Sequence, residues 1–149
     1  RELSTSRIVF QENDILFGAI RPYLHKVVLA PWAGVTNVSV LVLRAESPIL
    51  ATVLAVVASM PETIRWANQH STGTKMPVIS WDVLAQMPVV MPAAPLLNAF
   101  HACIAPMLSL VKTLAVQNAY LRQTRDLLLP RLISGELDVS ELDIKMPED

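Results

Sequence analysis

The sequence predicts an α+β fold: a small mixed α/β head followed by a long C-terminal helix of the coiled-coil type. Three observations predict it. Short β-branched and aromatic runs, punctuated by turn residues, fill the chain up to Arg44. Two helical stretches then lie between Pro48 and Gln69. Behind a proline-rich link, apolar residues recur every seven positions from Leu97 to Leu128.

In the head, Arg7, Ile8, Val9 and Phe10 form a first strand, Asn13 and Asp14 a turn, and Ile15, Leu16 and Phe17 a second strand. Arg21 precedes Pro22, whose ring crowds the helical region of its neighbour, so Arg21 is expected to be extended. Residues 23–30 read as a strand, 31–34 as a loop and 38–44 as the clearest strand. Residues 48–58 read as a buried Ala-, Leu- and Val-rich helix. A second helix starts at Pro61, whose ring suits a first turn, with Glu62 near the positive end of the dipole. Residues 71–77 form a polar loop. Ser80 caps a short helix through Trp81, Asp82, Val83 and Leu84, and residues 88–92 are extended.

The first heptad position falls on Leu97, Ile104, Val111, Asn118 and Arg125, and the fourth on Phe100, Met107, Leu114, Leu121 and Leu128; eight of these ten are apolar. That is a helix-pairing seam, and over five heptads it would run roughly 50 Å. Asn118 on the seam costs stability and penalises wrong registers. Pro106 predicts a kink or a late start, and Pro130 and Gly135 the end. The expected organisation is a head over 1–92, a spacer and dimerisation helix over 93–135, and an acidic tail over 136–149.

Of the 149 residues 52% are hydrophobic and 17% charged, with a net charge of −1. A disordered chain would be more charged and less apolar. Cys103 is the one cysteine, which excludes a disulfide scaffold and fits a reducing setting. No charge falls between Asp82 and Lys112, which raises a membrane question, but Pro88, Pro92, Pro95 and Pro106 leave only 96–111 as continuous helix, short for a span. No signal segment opens the chain. The expectation is a cytoplasmic protein without a membrane partner, and the start at Arg1 reads as an excised piece of something longer. Its near-neutral charge means that any nucleic-acid contact rests on a local patch.

Catalytic patterns are missing. There is no Gly-rich phosphate loop, nucleophile elbow or His-Glu-x-x-His pair. His25, His70 and His101 lack partners at metal-ligand spacing. Asp14 and Asp82 suit turn and helix-start roles, and Cys103 suits packing. The expectation is a non-enzyme with no cofactor and no metal.

Four segments carry a family resemblance. Asp14-Ile15-Leu16-Phe17 with Ile20-Arg21-Pro22-Tyr23 is the first. Ser71-Thr72-Gly73-Thr74-Lys75-Met76-Pro77-Val78-Ile79-Ser80 follows, then Met87-Pro88-Val89-Val90-Met91-Pro92. The fourth runs from Leu121-Arg122-Gln123-Thr124-Arg125 through Pro130-Arg131-Leu132-Ile133-Ser134-Gly135-Glu136-Leu137. In this order the chain resembles the DNA-specificity (S) subunit of type I restriction–modification systems. The resemblance implies a non-catalytic subunit whose target-recognition domains read double-stranded DNA and whose long helices pair as a coiled coil. It implies methyltransferase (M) subunits docked along those helices, joined by a translocating restriction (R) subunit. This chain would hold the later part of one recognition domain and the helix after it, which could pair with a second copy.

Candidate roles follow, each beside its plain alternative. In the loop, Ser71, Thr72 and Thr74 can donate to phosphate, Gly73 lets amides converge, and Lys75 adds charge; the alternative is a polar turn. Arg21 either reaches DNA or pairs with a carboxylate. Lys26 is favoured over His25 as a further contact, because the two face oppositely on a strand. Trp66 and Trp81 are read as core, with Trp32 open. Leu97, Phe100, Ile104, Met107, Val111, Leu114, Asn118, Leu121 and Leu128 form the pairing seam. Arg122, Arg125 and Arg131, with Asp126, either suit the helix dipole or dock the methyltransferase. The competing readings are a coiled-coil adaptor without DNA and a small hydrolase with a dispersed site.

Overall fold

A computed structural model describes residues 7–140 of the chain. The part of the expected acidic tail over 141–149 lies outside the described residues. The fold is α+β. Its elements are β1 (Arg7–Phe10), β2 (Ile15–Gly18), a 3-10 turn (Pro22–Leu24), β3 (Val27–Leu29), β4 (Gly34–Asn37), β5 (Val40–Leu43), α1 (Pro48–Ser59), α2 (Pro61–Gln69), α3 (Trp81–Leu84) and α4 (Ala94–Ile133). The chain forms two compact units, one ending at Thr113 and the next starting at Leu114.

Two small antiparallel sheets build the head: β1 with β4, and β3-β2-β5 with β2 central. In the second, Ile15 sits opposite Leu43 and Phe17 opposite Leu41. The alternation along β2 turns Ile15 and Phe17 into the core with Leu43, Ala55, Ala58, Ile64, Ala67, Ile79 and Leu84. The alanines of α1 and α2 keep that helix face small, which suits close packing against the bulky residues of β2. Ser47 caps α1, its hydroxyl accepting from the Leu50 N–H at 3.3 Å, and Pro48 and Pro61 each open a helix.

Several local expectations are overturned. Arg21 is not extended: it stands at φ 51, and His25 at φ 50, bracketing the 3-10 turn. The Arg21 N–H donates to the Pro77 carbonyl at 2.7 Å, and this non-local bond overrides the pre-proline preference. The strand expected over 23–30 is therefore the turn plus a three-residue β3. The loop expected through Gly34 ends there instead, because β4 starts at Gly34, opposite Phe10. A Cβ at Gly34 would lie 2.6 Å from Phe10 Cζ, so the missing side chain makes room for the ring. Ser80 precedes α3 as expected, but its side chain makes no capping bond.

α4 starts at Ala94, well before Pro106, and continues through Pro130. Pro95 falls in the first turn, where its missing donor is harmless. Leu108, two residues past Pro106, packs on the core and supports the helix there. After Pro130 only one turn remains before Gly135, at φ 74, reverses the chain. There the Gly135 N–H donates to Leu132 O and the Leu137 N–H to Arg131 O, giving end carbonyls partners. By length and composition α4 would suffice to cross a membrane. In the first unit, however, Leu97, His101, Ile104, Leu108 and Lys112 are half-buried, and Leu108 packs on the core.

Candidate nucleic-acid interface

The turn after β2 and the loop after α2 meet through their backbones. Ile20 bridges Val78, the Arg21 N–H donates to Pro77 O, and the Ile79 N–H donates to Ala19 O at 3.0 Å. Thr72 and Val78 exchange both backbone bonds, at 3.0 and 2.9 Å, closing residues 72–78 into a tight excursion. Gly73, at φ 94, sits at its bend, and a Cβ there would lie 3.0 Å from Met76 O. Arg21, Lys26, Thr72, Gly73, Thr74 and Lys75 are all exposed, and Ser71 is half-buried.

These side chains are not equally available. Lys26 Nζ donates to Ile20 O at 2.8 Å and so fastens the turn; its chain crosses Gly18, where a Cβ would come within 2.9 Å of it. The Ser71 hydroxyl donates to Ala67 O at 2.6 Å, closing the end of α2. Among the described residues neither Arg21 nor Lys75 has a carboxylate partner. The turn is further fixed by His25: Ser59 O can only accept, so the His25 Nε2–H donates to it at 2.9 Å, at the negative end of α1.

Asp14 lies just before β2 and Arg44 just after β5, so the register of these strands brings them together. Arg44 binds both carboxylate oxygens, at 2.7 and 2.6 Å, and the Gln11 N–H donates to one at 2.6 Å. The Arg44 hydrogen bonds hold the Asp14 carboxyl below its ordinary pKa, burial opposes this, and the Gln11 amide adds to the lowering. This is a fully committed structural carboxylate and a poor general acid.

Beside it a cleft of about 460 Å³ opens between the first sheet turn, the start of α1 and α4, lined by Glu12, Asp14, Arg44, Thr52, His101 and Lys112 among others. Several of its polar groups are already paired. Lys112 Nζ donates to Glu12 Oε1 at 2.6 Å and to Asn13 Oδ1 at 3.1 Å. The Thr52 hydroxyl donates to Ile49 O at 2.7 Å, so the His101 Nδ1–H donates to it at 2.8 Å. These long-range contacts link positions far apart in sequence and leave no local signal. Among the described residues no three His, Cys, Asp or Glu side chains converge as metal ligands.

Of the seam, Leu97, Phe100 and Ile104 are half-buried, while Met107, Val111, Leu114, Asn118, Leu121 and Leu128 are exposed. In the second unit Arg122 is exposed, Arg125 pairs with the adjacent Asp126 at 2.8 Å, and Arg131 approaches Glu136 at 3.9 Å. Trp66 packs on the core, stacked on His70. Trp81 is 54% exposed rather than core, because the short α3 buries Leu84 instead. Two exposed residues that the reading of 23–30 as a strand hid are Tyr23 and Leu24, at the tip of the turn.

No family model matches the chain. It is 33% identical over 70 residues, 47% of its length, to the type I restriction enzyme MjaIX specificity subunit of Methanocaldococcus jannaschii. The matched part spans 16% of that protein's length, so the likeness is to a segment of a specificity subunit.

Proposed function

We propose that this chain is a non-catalytic piece of a type I restriction–modification specificity subunit, with double-stranded DNA as its ligand. The observation that carries the reading is the 33% identity over 70 residues to a protein of that name. The joined turn and loop support it by offering, on adjacent segments, two cations that have no carboxylate partner among the described residues. Residues 1–92 supply part of a target-recognition domain, 93–135 the spacer helix and 136–149 an acidic tail. Methyltransferase subunits dock on α4 through Arg122, Arg125 and Arg131, the restriction subunit joins them, and the complex works in the cytoplasm, where its DNA is. The exposed seam pairs with a second long helix, from the same subunit or another copy.

Mechanistically the chain positions and does not react. Arg21 and Lys75 neutralise phosphates, and the Thr72 and Thr74 hydroxyls donate to phosphate oxygens. Ser71 and Lys26 hold the two segments in place through backbone carbonyls. Gly73 supplies the bend at which amides face an anion. Such contacts set register and orientation on the duplex, while sequence is read at base edges.

The test is a salt titration of duplex binding. Lys75→Ala lowers the slope of log K against log salt by about 1 and weakens all sequences alike. Unchanged slope and affinity overturn the role of Lys75. A second reading, a coiled-coil adaptor with no DNA role, draws on the exposed apolar residues of α4. Absence of salt-dependent duplex binding, with no DNA adenine methyltransferase recovered from the cell lysate, favours it.

A further inference from the structure

We propose that the 3-10 turn is a preformed apolar wedge that inserts between stacked base pairs of double-stranded DNA. This rests on the DNA reading above and deepens it, adding a contact that senses how easily a base step opens. The tip carries the consecutive residues Tyr23 and Leu24, 52% and 53% exposed, while the preceding Pro22 is fully buried and anchors the turn. Residues flanking the turn on both sides, Arg21 and His25, are left-handed although neither is glycine. Strain of this kind persists only where the surroundings over-determine it, and it gathers at functional sites.

The surroundings here do over-determine it. Leu24 N–H donates to Arg21 O at 3.0 Å and His25 N–H to Pro22 O at 2.9 Å, inside the turn. Arg21 N–H to Pro77 and the His25 ring to Ser59 tie it to two other segments, and Lys26 Nζ to Ile20 clamps its own two flanks together. An aromatic and a leucine side chain are thus held in water on a rigid support, with little ordering left to do on binding. Apolar side chains presented in this way are the means by which proteins open and kink a base step.

Charge complementarity selects DNA as the occupant. Arg21 adjoins the tip, and Lys75 lies on the loop bonded to Arg21 through Pro77. A cation adjoining an apolar tip, with a second on the loop bonded to it, suits a base step bordered by phosphates; an apolar protein surface would leave both charges without a partner.

The experiment uses the whole chain and a pool of randomised duplexes carrying 2-aminopurine, whose fluorescence rises on unstacking. The chain is expected to raise the fluorescence. Tyr23→Ala and Leu24→Ala are each expected to lower affinity by about ten-fold and abolish the rise. Both leave the salt slope unchanged, because no charge is lost. Tyr23→Phe keeps affinity and fluorescence, and Lys75→Ala lowers the slope but keeps the rise. Both tip residues are exposed, and an unchanged urea midpoint certifies each fold. Normal affinity and fluorescence in both alanine variants overturn the wedge while the DNA reading stands. No duplex binding by the unsubstituted chain overturns both.

Discussion

The head and the far half of α4 use the same residue types in opposite ways. In the head, apolar residues of β2, α1 and α2 are consumed by the fold: Phe17 is 1% exposed. Beyond Leu114 no residue of α4 is buried, and Leu121 is 66% exposed. These exposed leucines are what the proposed helix pairing would cover. Hydrophobicity alone therefore does not locate a core; what matters is whether the pattern closes on a second element. The head closes through antiparallel pairing and two short helices. Beyond Leu114 the helix buries no side chain among the described residues.

Core truncation should break this contrast most strongly. Phe17→Ala is expected to cost about 3–5 kcal/mol in urea unfolding, through lost transfer energy and an unfilled cavity. Leu121→Ala, in the same assay on the dilute chain, should stay within about 0.5 kcal/mol. A loss at Leu121 that grows with protein concentration would show that the far half of α4 is paired in solution.

The next effect separates polar burial from polar exposure. Asp14 is 3% exposed while its partner Arg44 is 50% exposed. Asp14→Asn should cost about 1–2 kcal/mol at neutral pH, discounted for solvent screening of the arginine. Because the folded carboxyl is held below its ordinary pKa, the contribution is complete above the unfolded value of about 3.9. It is lost as pH falls through the lower, folded value. The stability gap between the two proteins should therefore narrow on acidification below about pH 4. A gap that stays constant down to pH 2 would show that Asp14 is not held by its charge.

Legibility followed the range of the interactions. β1, β2, α1 and α2 stood out because their patterns are local: alternation, and a proline at a helix's first turn; α3 was placed correctly although the Ser80 side chain expected to cap it makes no such bond. Arg21 and His25 were misread because bonds to Pro77 and Ser59, 56 and 34 positions away in the chain, decide their backbone. β4 was missed because its first residue is a glycine that matters only for the ring of Phe10 facing it. The basic residues of the candidate interface were found through family resemblance, since a polar loop carries little signal of its own. Tyr23 and Leu24 were hidden by the strand assignment, and the Lys112–Glu12 and His101–Thr52 contacts have no sequence signature.

The smallest effect concerns the seam. Asn118 is exposed within α4 and is the first of two polar residues, with Arg125, at the first heptad position. Asn118→Leu should raise helix stability by about 0.5 kcal/mol, because leucine is the better helix former. If the seam pairs, the same change removes a polar residue that penalises shifted registers, and association should become tighter and less uniform. Circular dichroism reads the first effect and sedimentation velocity the second. Greater helicity with unchanged association would mean that Asn118 lies off any interface. No change in either would mean that the heptad assignment is wrong, and that the leucines beyond Leu114 serve a partner whose contacts do not follow a seven-residue repeat.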